Sequence, residues 1–513
     1  MLSTSILAKL YVLWMQSAVY VFLRSIYRAF SRGFRNSTIV HWFTRESRLE
    51  PIYRSSLFAR IFRAIFDFFD RLLHALWAAI RRAGDGSATQ RFVRRFCRSS
   101  FFLKFETILG GAICVMFIVP HDYWSNSYAL LFAAGLFALY VILVGAGKRK
   151  IYYLHEMGFP LMLFMLACVF SLGLSFDRSD SLRILVLYVT AFLFLYIISA
   201  DLTTPGRMER LLGFLYLAVM LTSLFAFYQR VVGVAVSASL TDLSLNKGVP
   251  GRVFSSFGNP NNYAEFLVMM APLAAVFAAS RKNPYWRLLL ILGMALPFGA
   301  LLMTYSRSCW ISMLLCCIIF VYYADKKLLP VFFMLCIASI PVLPDSIMTR
   351  IGTLFNHADS SNRFRLYIWE GTTQMAKDYF PGGIGLGPGS FAVLYPRYAN
   401  PHALIGVPHS HMVYLELVLE LGLLGFVSYM WYMLRLWKDS ACKLLKTNCR
   451  LARCVLIACL SSMVGIAFAF GVEYVWYYPR TFFTWFILAG IAVAAMRMSD
   501  EAASGKICNG ELQ

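Results

Sequence analysis

Charged residues are scarce in this sequence. Asp, Glu, Lys and Arg make up 14% of its 513 residues, whereas hydrophobic residues make up 59%. A soluble domain normally carries about 25% charged residues, so the composition excludes an ordinary soluble protein. Apolar runs of roughly 20 residues, the length that crosses a bilayer, recur along the chain. We therefore predict an all-α, polytopic membrane protein.

Metal-site and phosphate-loop patterns are also missing. The twelve cysteines are scattered, with no metal-ligand spacing and no disulfide framework. His402, His409 and His411 have no carboxylate or cysteine at metal-site spacing, so we expect no metal and no cofactor. The segment GIGLGPGS, residues 383–390, lacks the Lys-Ser/Thr sequel of a phosphate-binding loop. It is predicted to be a turn that shapes a loop.

About twelve membrane spans are predicted. They are Glu106 to Pro120, Tyr128 to Val144, Tyr153 to Ser175, Leu182 to Ser199, Leu211 to Tyr228, Ala264 to Ala279, Leu288 to Met303, Cys309 to Tyr323, Leu328 to Val342, Met412 to Leu434, Val455 to Val472 and Phe482 to Ala495. The predicted division is a basic, aromatic-rich arm (1–104), spans 1–9 (105–343), a large external loop (344–410), spans 10–12 (411–497) and a tail (498–513).

The arm carries 18 Lys and Arg residues against five Asp and Glu. Ile6 to Phe30 and Leu57 to Ile80 are predicted helices in which arginines alternate with aromatic residues, a pattern typical of helices lying on an anionic membrane surface. Because apolar residues interleave with the arginines, we favour this over nucleic-acid binding. Basic residues also cluster in alternate short loops, which by the positive-inside rule places both termini in the cytoplasm and the large loop outside.

The predicted external side breaks that rule at five arginines. They are Arg252, Arg307, Arg363, Arg365 and Arg397. Arginine presents a planar fork of donors that fits phosphate oxygens, so the cluster suggests an anionic lipid head group. Each arginine alone could equally anchor to membrane phosphates or pair with a nearby aspartate.

Four segments accompany these arginines. The first, from Arg252 to Leu267, contains a turn with Asn261 that leads into a helix. The second, Thr304 to Ser308, is a polar break between two apolar runs. The third holds Arg365 and Trp369, which lie four apart and share a face if helical. In the fourth, His411 stands at the start of a membrane helix that carries Glu416 and Glu420.

In this order, the segments resemble the O-antigen ligase and O-antigen polymerase superfamily of bacterial membrane glycosyltransferases. The resemblance covers about Leu211 to Leu434. One departure is Met412, where the family usually has Asn after the histidine that opens the helix. A second is His409, which competes with His411 for the assignment. The arm lies outside the resemblance.

The resemblance implies a metal-independent enzyme that moves a glycan from an undecaprenyl-diphosphate carrier to an acceptor hydroxyl, at the outer face of the cytoplasmic membrane. It implies that Arg252, Arg307 and Arg365 hold the diphosphate and that His411 is the catalytic base. Secondary candidates are Arg363, Arg397, His409, Glu416, Glu420, Trp369 and Asn261. The expected partners are the lipid-linked donor, the bilayer and a glycan, lipid or protein acceptor, with no nucleic acid.

Two other functions remain open at this point. A secondary transporter of a small anion or a polysaccharide intermediate would also carry charges, but transporters often have internal repeats, and no second copy of the unusual segments is present in the sequence. A non-catalytic scaffold would not require the external arginines and histidines. Polymerase and ligase share this chemistry, so the sequence does not distinguish their acceptors.

Overall fold

The computed structural model describes residues 55–83 and 104–504, except 147, 153–156, 237–249, 354–359 and 404–406, together with a few isolated residues before 55. Within those ranges every regular element is a helix. Helices suit a chain in lipid, because each segment satisfies its own backbone hydrogen bonds.

Sixteen helices of the described residues are numbered here. Those before the large loop are α1 (Leu57–Ala83), α2 (Phe105–Ile118), α3 (Asn126–Gly145), α4 (Phe159–Leu174), α5 (Arg178–Asp201), α6 (Pro205–Val232), α7 (Pro260–Ala279), α8 (Pro284–Met303), α9 (Arg307–Asp325) and α10 (Leu329–Ser339). The later ones are α11 (Asp345–Gly352), α12 (Ser360–Asp378), α13 (Pro388–Leu394), α14 (Val413–Lys446), α15 (Arg450–Phe470) and α16 (Pro479–Ala503).

The predicted all-α, polytopic membrane fold is confirmed. Nine apolar stretches in the described part of the chain are long enough to cross a membrane, and α2 and α4 are shorter apolar helices. The stretch from Arg307 to Val342 comprises α9, a turn at Lys326–Leu328 and α10, so two predicted spans form one apolar stretch. Leu57 to Ile80 is helical, within α1. Ile6 to Phe30 lies almost wholly outside the described residues.

The centre of the bundle is formed by α7, α15 and α16. The apolar windows of α7 and α16 are 83% and 89% buried, whereas that of α8 is only 22% buried. Helix α16 packs on α5 and α15, and α14 packs on α4 and α15. The other helices therefore surround these three central helices.

Buried ion pairs occupy one end of the bundle, which we call the basic end. Arg149 pairs with Asp201 at 2.5 Å and with Glu106 at 3.4 Å, while Arg210 also pairs with Glu106. Arg207 lies 3.6 Å from Asp201. These contacts tie the start of α2 to the end of α5 and the start of α6. The opposite end, where α5, α7, α14 and α16 begin, is called the site end.

The large loop is folded at the site end. Helices α12 and α13 build a second hydrophobic cluster on α14, with Ile368, Phe391 and Leu419 fully buried. Aromatic side chains such as Phe391 and Tyr395 thus give the loop a hydrophobic core of its own. Its helices place polar side chains against the ends of the spanning helices.

Candidate active site

A buried carboxylate, Glu473, lies at the centre of the site end, in the short connection between α15 and α16. Its Oε1 accepts hydrogen bonds from the Arg365 guanidinium and from Nδ2 of Asn261, the latter at 3.2 Å. Its Oε2 lies 3.8 Å from Nδ1 of His411. One carboxylate thus connects three of the residues predicted from the sequence.

Glu473 is ionised at neutral pH. Burial alone would raise the pKa of this carboxyl, but the Arg365 charge and the His411 imidazole outweigh burial and lower the pKa to about 2. The carboxylate therefore holds a fixed negative charge among the cationic side chains.

The first turn of α7 brings Arg252 behind Glu473. Asn259 caps this helix by accepting from the Asn261 N–H at 2.8 Å, and proline occupies the first helical position. The Arg252 guanidinium donates to Oδ1 of Asn261, and its Nε donates to the Thr304 carbonyl at 2.7 Å. Burial and the nearby Arg350 charge lower the pKa of Arg252 to about 9, which leaves it cationic at neutral pH.

The polar break between α8 and α9 contains Arg307, which is the first residue of α9 and follows Thr304 by three residues. The Arg307 guanidinium donates to the Thr353 carbonyl at 2.7 Å and to Oδ1 of Asn362 at 3.2 Å. Asn362 stands one turn before Arg365 on α12. Arg307 is thus buried near the cluster, but its described hydrogen bonds go to the large loop and not to Glu473.

Helix α12 directs two side chains toward the segment that precedes α14. Arg365 binds Glu473, and the indole Nε1 of Trp369 donates to the Ser410 carbonyl at 2.9 Å. The two residues share a helical face, as the four-residue spacing predicted. This face therefore holds both the carboxylate and the histidine segment.

The two histidines have different environments. His411 has a left-handed backbone, with φ of +55°, which is uncommon for a residue with a side chain. Its N–H donates to Nδ1 of His409 at 3.1 Å. Burial and the adjacent His411 lower the pKa of His409 well below its usual range. His409 is therefore neutral and its Nδ1 is occupied as an acceptor.

Two buried glutamates on the first turns of α14 hold the neighbouring segments. Oε2 of Glu416 accepts from the Ser410 N–H at 2.7 Å. Oε1 of Glu420 accepts from the Tyr474 hydroxyl at 3.0 Å and from the Gly387 N–H at 3.1 Å. Because Ser410 precedes His411 and Tyr474 follows Glu473, one helical face fixes both segments.

The glycine-rich turn directs its amides to two carboxylates and a backbone carbonyl of the protein. Besides the Gly387 amide, the Gly389 N–H donates to Oδ2 of Asp180 at 2.8 Å. The Gly385 N–H donates to the backbone carbonyl of Glu420 at 3.2 Å. These contacts favour the prediction that the turn shapes the loop.

The predicted residues therefore divide into three groups, the first of which is Arg307 alone, bound to the large loop through Thr353 and Asn362. Those connected through Glu473, Ser410 or Tyr474 are Arg252, Asn261, Arg365, Trp369, His409, His411, Glu416 and Glu420. The side chains of Arg363 and Arg397, the third group, are exposed and make no hydrogen bond to other described residues.

Glu473 and Tyr474 were not predicted from the sequence. Glu473 is the one charged residue between Arg453 and Arg480, and a lone carboxylate in so apolar a segment requires a partner. That feature could have identified Glu473. Arg350, which donates to the Tyr305 carbonyl at 3.3 Å, was also not predicted, and nothing in the sequence around it distinguishes it from other arginines.

Comparison with known protein families identifies one segment of the chain. Residues 292–430 match the family model described as O-antigen ligase, so the resemblance to the O-antigen ligase superfamily is confirmed over that segment. No curated protein matches the chain significantly. Together with the spanning helices, the match supports a membrane glycosyltransferase-like role of the ligase or polymerase kind. Arg252, Asn261 and Glu473 lie outside the matched segment.

Proposed function

We propose that this multi-pass membrane protein, whose residues 292–430 carry an O-antigen ligase domain, transfers a glycan from an undecaprenyl-diphosphate carrier to an acceptor hydroxyl. The proposed location is the outer face of the cytoplasmic membrane. The observation that carries the proposal is the convergence of Arg365, the Arg252–Asn261 pair and His411 on Glu473.

The charge of the cluster suits a diphosphate. Arg252, Arg365 and the neighbouring Arg307 bring three guanidinium groups to a region in which Glu473 is the carboxylate that contacts Arg365. Fixed guanidinium groups in a buried site stabilise the negative charge that develops on a leaving diphosphate. Because arginines supply this charge, we propose that transfer requires no metal. Arg363 and Arg397 are exposed and are not proposed to bind the diphosphate.

His411 is the proposed base. Its side chain is 26% exposed, although its Nδ1 is buried, so Nε2 is on the accessible edge of the ring. There it takes the proton of the acceptor hydroxyl as the acceptor oxygen bonds to the anomeric carbon. The bond from that carbon to the phosphate oxygen breaks, and undecaprenyl diphosphate leaves with the electron pair. Because Nδ1 of His409 already accepts a hydrogen bond, we assign the base to His411.

A deletion strain tests the function. The expected result is that lipid-linked glycan accumulates and surface polysaccharide is lost or shortened. Restoring the wild-type chain or His402→Ala should reverse this, whereas His411→Ala should not. His402 is the control because it is exposed and lies against the Tyr367 ring, away from Glu473. Normal polysaccharide with altered uptake of a small solute would instead indicate a transporter.

Reporter fusions test the proposed orientation. A fusion after Ser504 should report a cytoplasmic location, because α16 runs from the site end to the basic end. A reporter inserted at Asn400, a partly exposed residue of the large loop outside its helices, should report the outer face. The reverse pattern would place the site in the cytoplasm and exclude an outer-face transferase.

A further inference from the structure

We infer that Glu473 is the positioning residue of the proposed base: it holds the Nδ1 side of the His411 imidazole, leaves Nε2 toward the acceptor, and is released from Arg365 when the donor diphosphate binds. The inference rests on the proposed function. Nothing in the matched family segment includes Glu473, which lies beyond residue 430.

The first step is the orientation of the imidazole. Nδ1 of His411 is buried without a hydrogen-bond partner inside normal hydrogen-bond length, and Oε2 of Glu473 lies 3.8 Å from it. A neutral imidazole carries its proton on one nitrogen only. A carboxylate facing Nδ1 favours the proton there, so the lone pair is on Nε2.

The second step is that the backbone fixes His411 against this carboxylate. The His411 N–H is held by Nδ1 of His409, and the preceding Ser410 is held by Glu416 through its N–H and by Trp369 through its carbonyl. The backbone of His411 is therefore fixed, and its ring packs against the His409 ring with the centroids 4.3 Å apart. Closing the gap of 3.8 Å to a hydrogen bond requires a side-chain movement of about 1 Å.

The third step concerns Arg365, which shares the carboxylate with His411. A diphosphate that binds the Arg365 guanidinium competes with Oε1 of Glu473 for the same donors. When Arg365 turns to the diphosphate, the negative charge of Glu473 is compensated less and acts more strongly on His411. Donor binding would thus strengthen the base just when a donor is present.

Other charged or titratable groups around this pair come from several helices. They are Arg365 from α12, Asn261 with Arg252 behind it and Glu265 from α7, Arg350 from α11, His409 before α14, and Tyr474, Tyr477 and Tyr478 before α16. His409 is neutral and adds no charge, whereas Glu473 is the carboxylate that lies within 4 Å of the imidazole. Glu265 is buried on the central helix α7 and makes no described contact with His411.

A readout that does not depend on catalysis tests the orientation. Diethyl pyrocarbonate attacks neutral imidazole, and mass spectrometry of the full-length protein in detergent measures the modified fraction of His411 at each pH. Glu473→Gln keeps the size of the side chain but removes its charge. The modified fraction of His411 at a given pH should rise in this variant, because the ring no longer faces a carboxylate on its Nδ1 side.

Two controls accompany this measurement. The profile of His402 in the same sample should not move. Glu370→Gln removes an exposed carboxylate of α12 that binds Asn400, and it should leave the His411 profile unchanged. An unmoved His411 profile in Glu473→Gln would overturn the inference. If that variant does not fold, the double change with Arg365→Gln removes the buried charge together with its partner, and its profile is compared with that of Arg365→Gln alone, which differs from it only by the carboxylate.

Kinetics test the coupling to the donor. In Glu473→Gln, kcat should fall about 100-fold, whereas binding of undecaprenyl diphosphate should stay equal or become tighter because no carboxylate competes for Arg365. A purely structural role would weaken binding and turnover together, and that result would overturn the inference. If the wild type transfers no glycan, the proposed function fails, but the modification profile still decides the orientation of His411.

Discussion

Gly383 and Gly422 pack backbone against backbone where the glycine-rich turn meets α14. A Cβ on Gly383 would lie 2.7 Å from the Gly422 amide nitrogen, and one on Gly422 would lie 2.2 Å from the Pro381 carbonyl oxygen. Gly422 has φ of 64° and ψ of −164°, a conformation largely restricted to glycine, and α14 is broken there. This contact lets Glu420, on the turn before the break, reach both Gly387 and Tyr474.

Gly422→Ala should therefore unfold the site end. The added Cβ meets a backbone oxygen, and the backbone conformation costs a further 1–3 kcal/mol or so. We expect a marked fall in Tm in detergent. The control is Gly173→Ala in α4, where a Cβ meets nothing within 4 Å, and its Tm should equal or slightly exceed that of the wild type. Equal Tm values for both variants would contradict the observed contact.

The hydrogen bond between Glu420 and Tyr474 predicts coupled mutational effects. Glu420→Ala and Tyr474→Phe should each lower the transfer rate, because each loosens the segment that carries Glu473. The double variant should be less impaired than the two separate effects predict. A double-mutant cycle on transfer rates should give a coupling energy of about 0.5–3 kcal/mol. Strictly additive effects would show that the two residues act independently.

Trp369→Phe removes the donor to the Ser410 carbonyl while keeping an aromatic ring. The lost hydrogen bond should cost about 1 kcal/mol of stability, and the transfer rate should fall by more than the loss of folded protein explains. Unfolding curves and transfer rates of the same preparation separate the two effects. A rate equal to that of the wild type would mean that this indole does not position His411.

The burial of His409 predicts a pH dependence of stability. Its pKa is lowered well below 6.5 in the folded protein, so between those two values the unfolded chain binds a proton that the folded protein does not. Stability must therefore fall as the pH drops below about 6.5. The pKa of Glu473 is lowered from 4.5 to about 2. The stability that its ionised carboxylate contributes is therefore lost only as the pH falls from 4.5 to about 2.

Thermal unfolding between pH 5 and pH 7.5 measures this effect. We expect the Tm of the wild type to fall toward pH 5 and that of His409→Asn to fall less. His402→Asn, at an exposed histidine, should follow the wild-type curve. Identical slopes for all three proteins would show that another group controls the pH dependence.

Hydropathy was sufficient to predict the spanning helices, because a long apolar run in lipid has few alternatives to a helix. Spacing predicted the shared face of Arg365 and Trp369, and the polar break at Thr304 to Ser308 predicted where Arg307 would lie. The partners of these residues could not be predicted in the same way. Glu473 is 62 residues beyond His411 in the sequence, and their contact depends on how α14, α15 and α16 pack.

All five arginines were expected on one side of the membrane, with Arg363 and Arg397 as secondary candidates, but the sequence alone could not show which of them are buried. Arg252 and Arg307 lie beneath the folded loop, whereas Arg363 and Arg397 face outward. On α12, Arg363 and Arg365 are two residues apart and so point in different directions. That distinction required knowing which face of α12 contacts the bundle.

The most direct measurement is glycan transfer by the purified protein in proteoliposomes, supplied with the lipid-linked glycan of its host and an acceptor. Mass spectrometry follows the release of undecaprenyl diphosphate. The wild type and His402→Ala should release it at similar rates, and His411→Ala should be slower by about 10²–10⁴-fold. Release by His411→Ala at the wild-type rate, or no release by the wild type, would contradict the proposed active site.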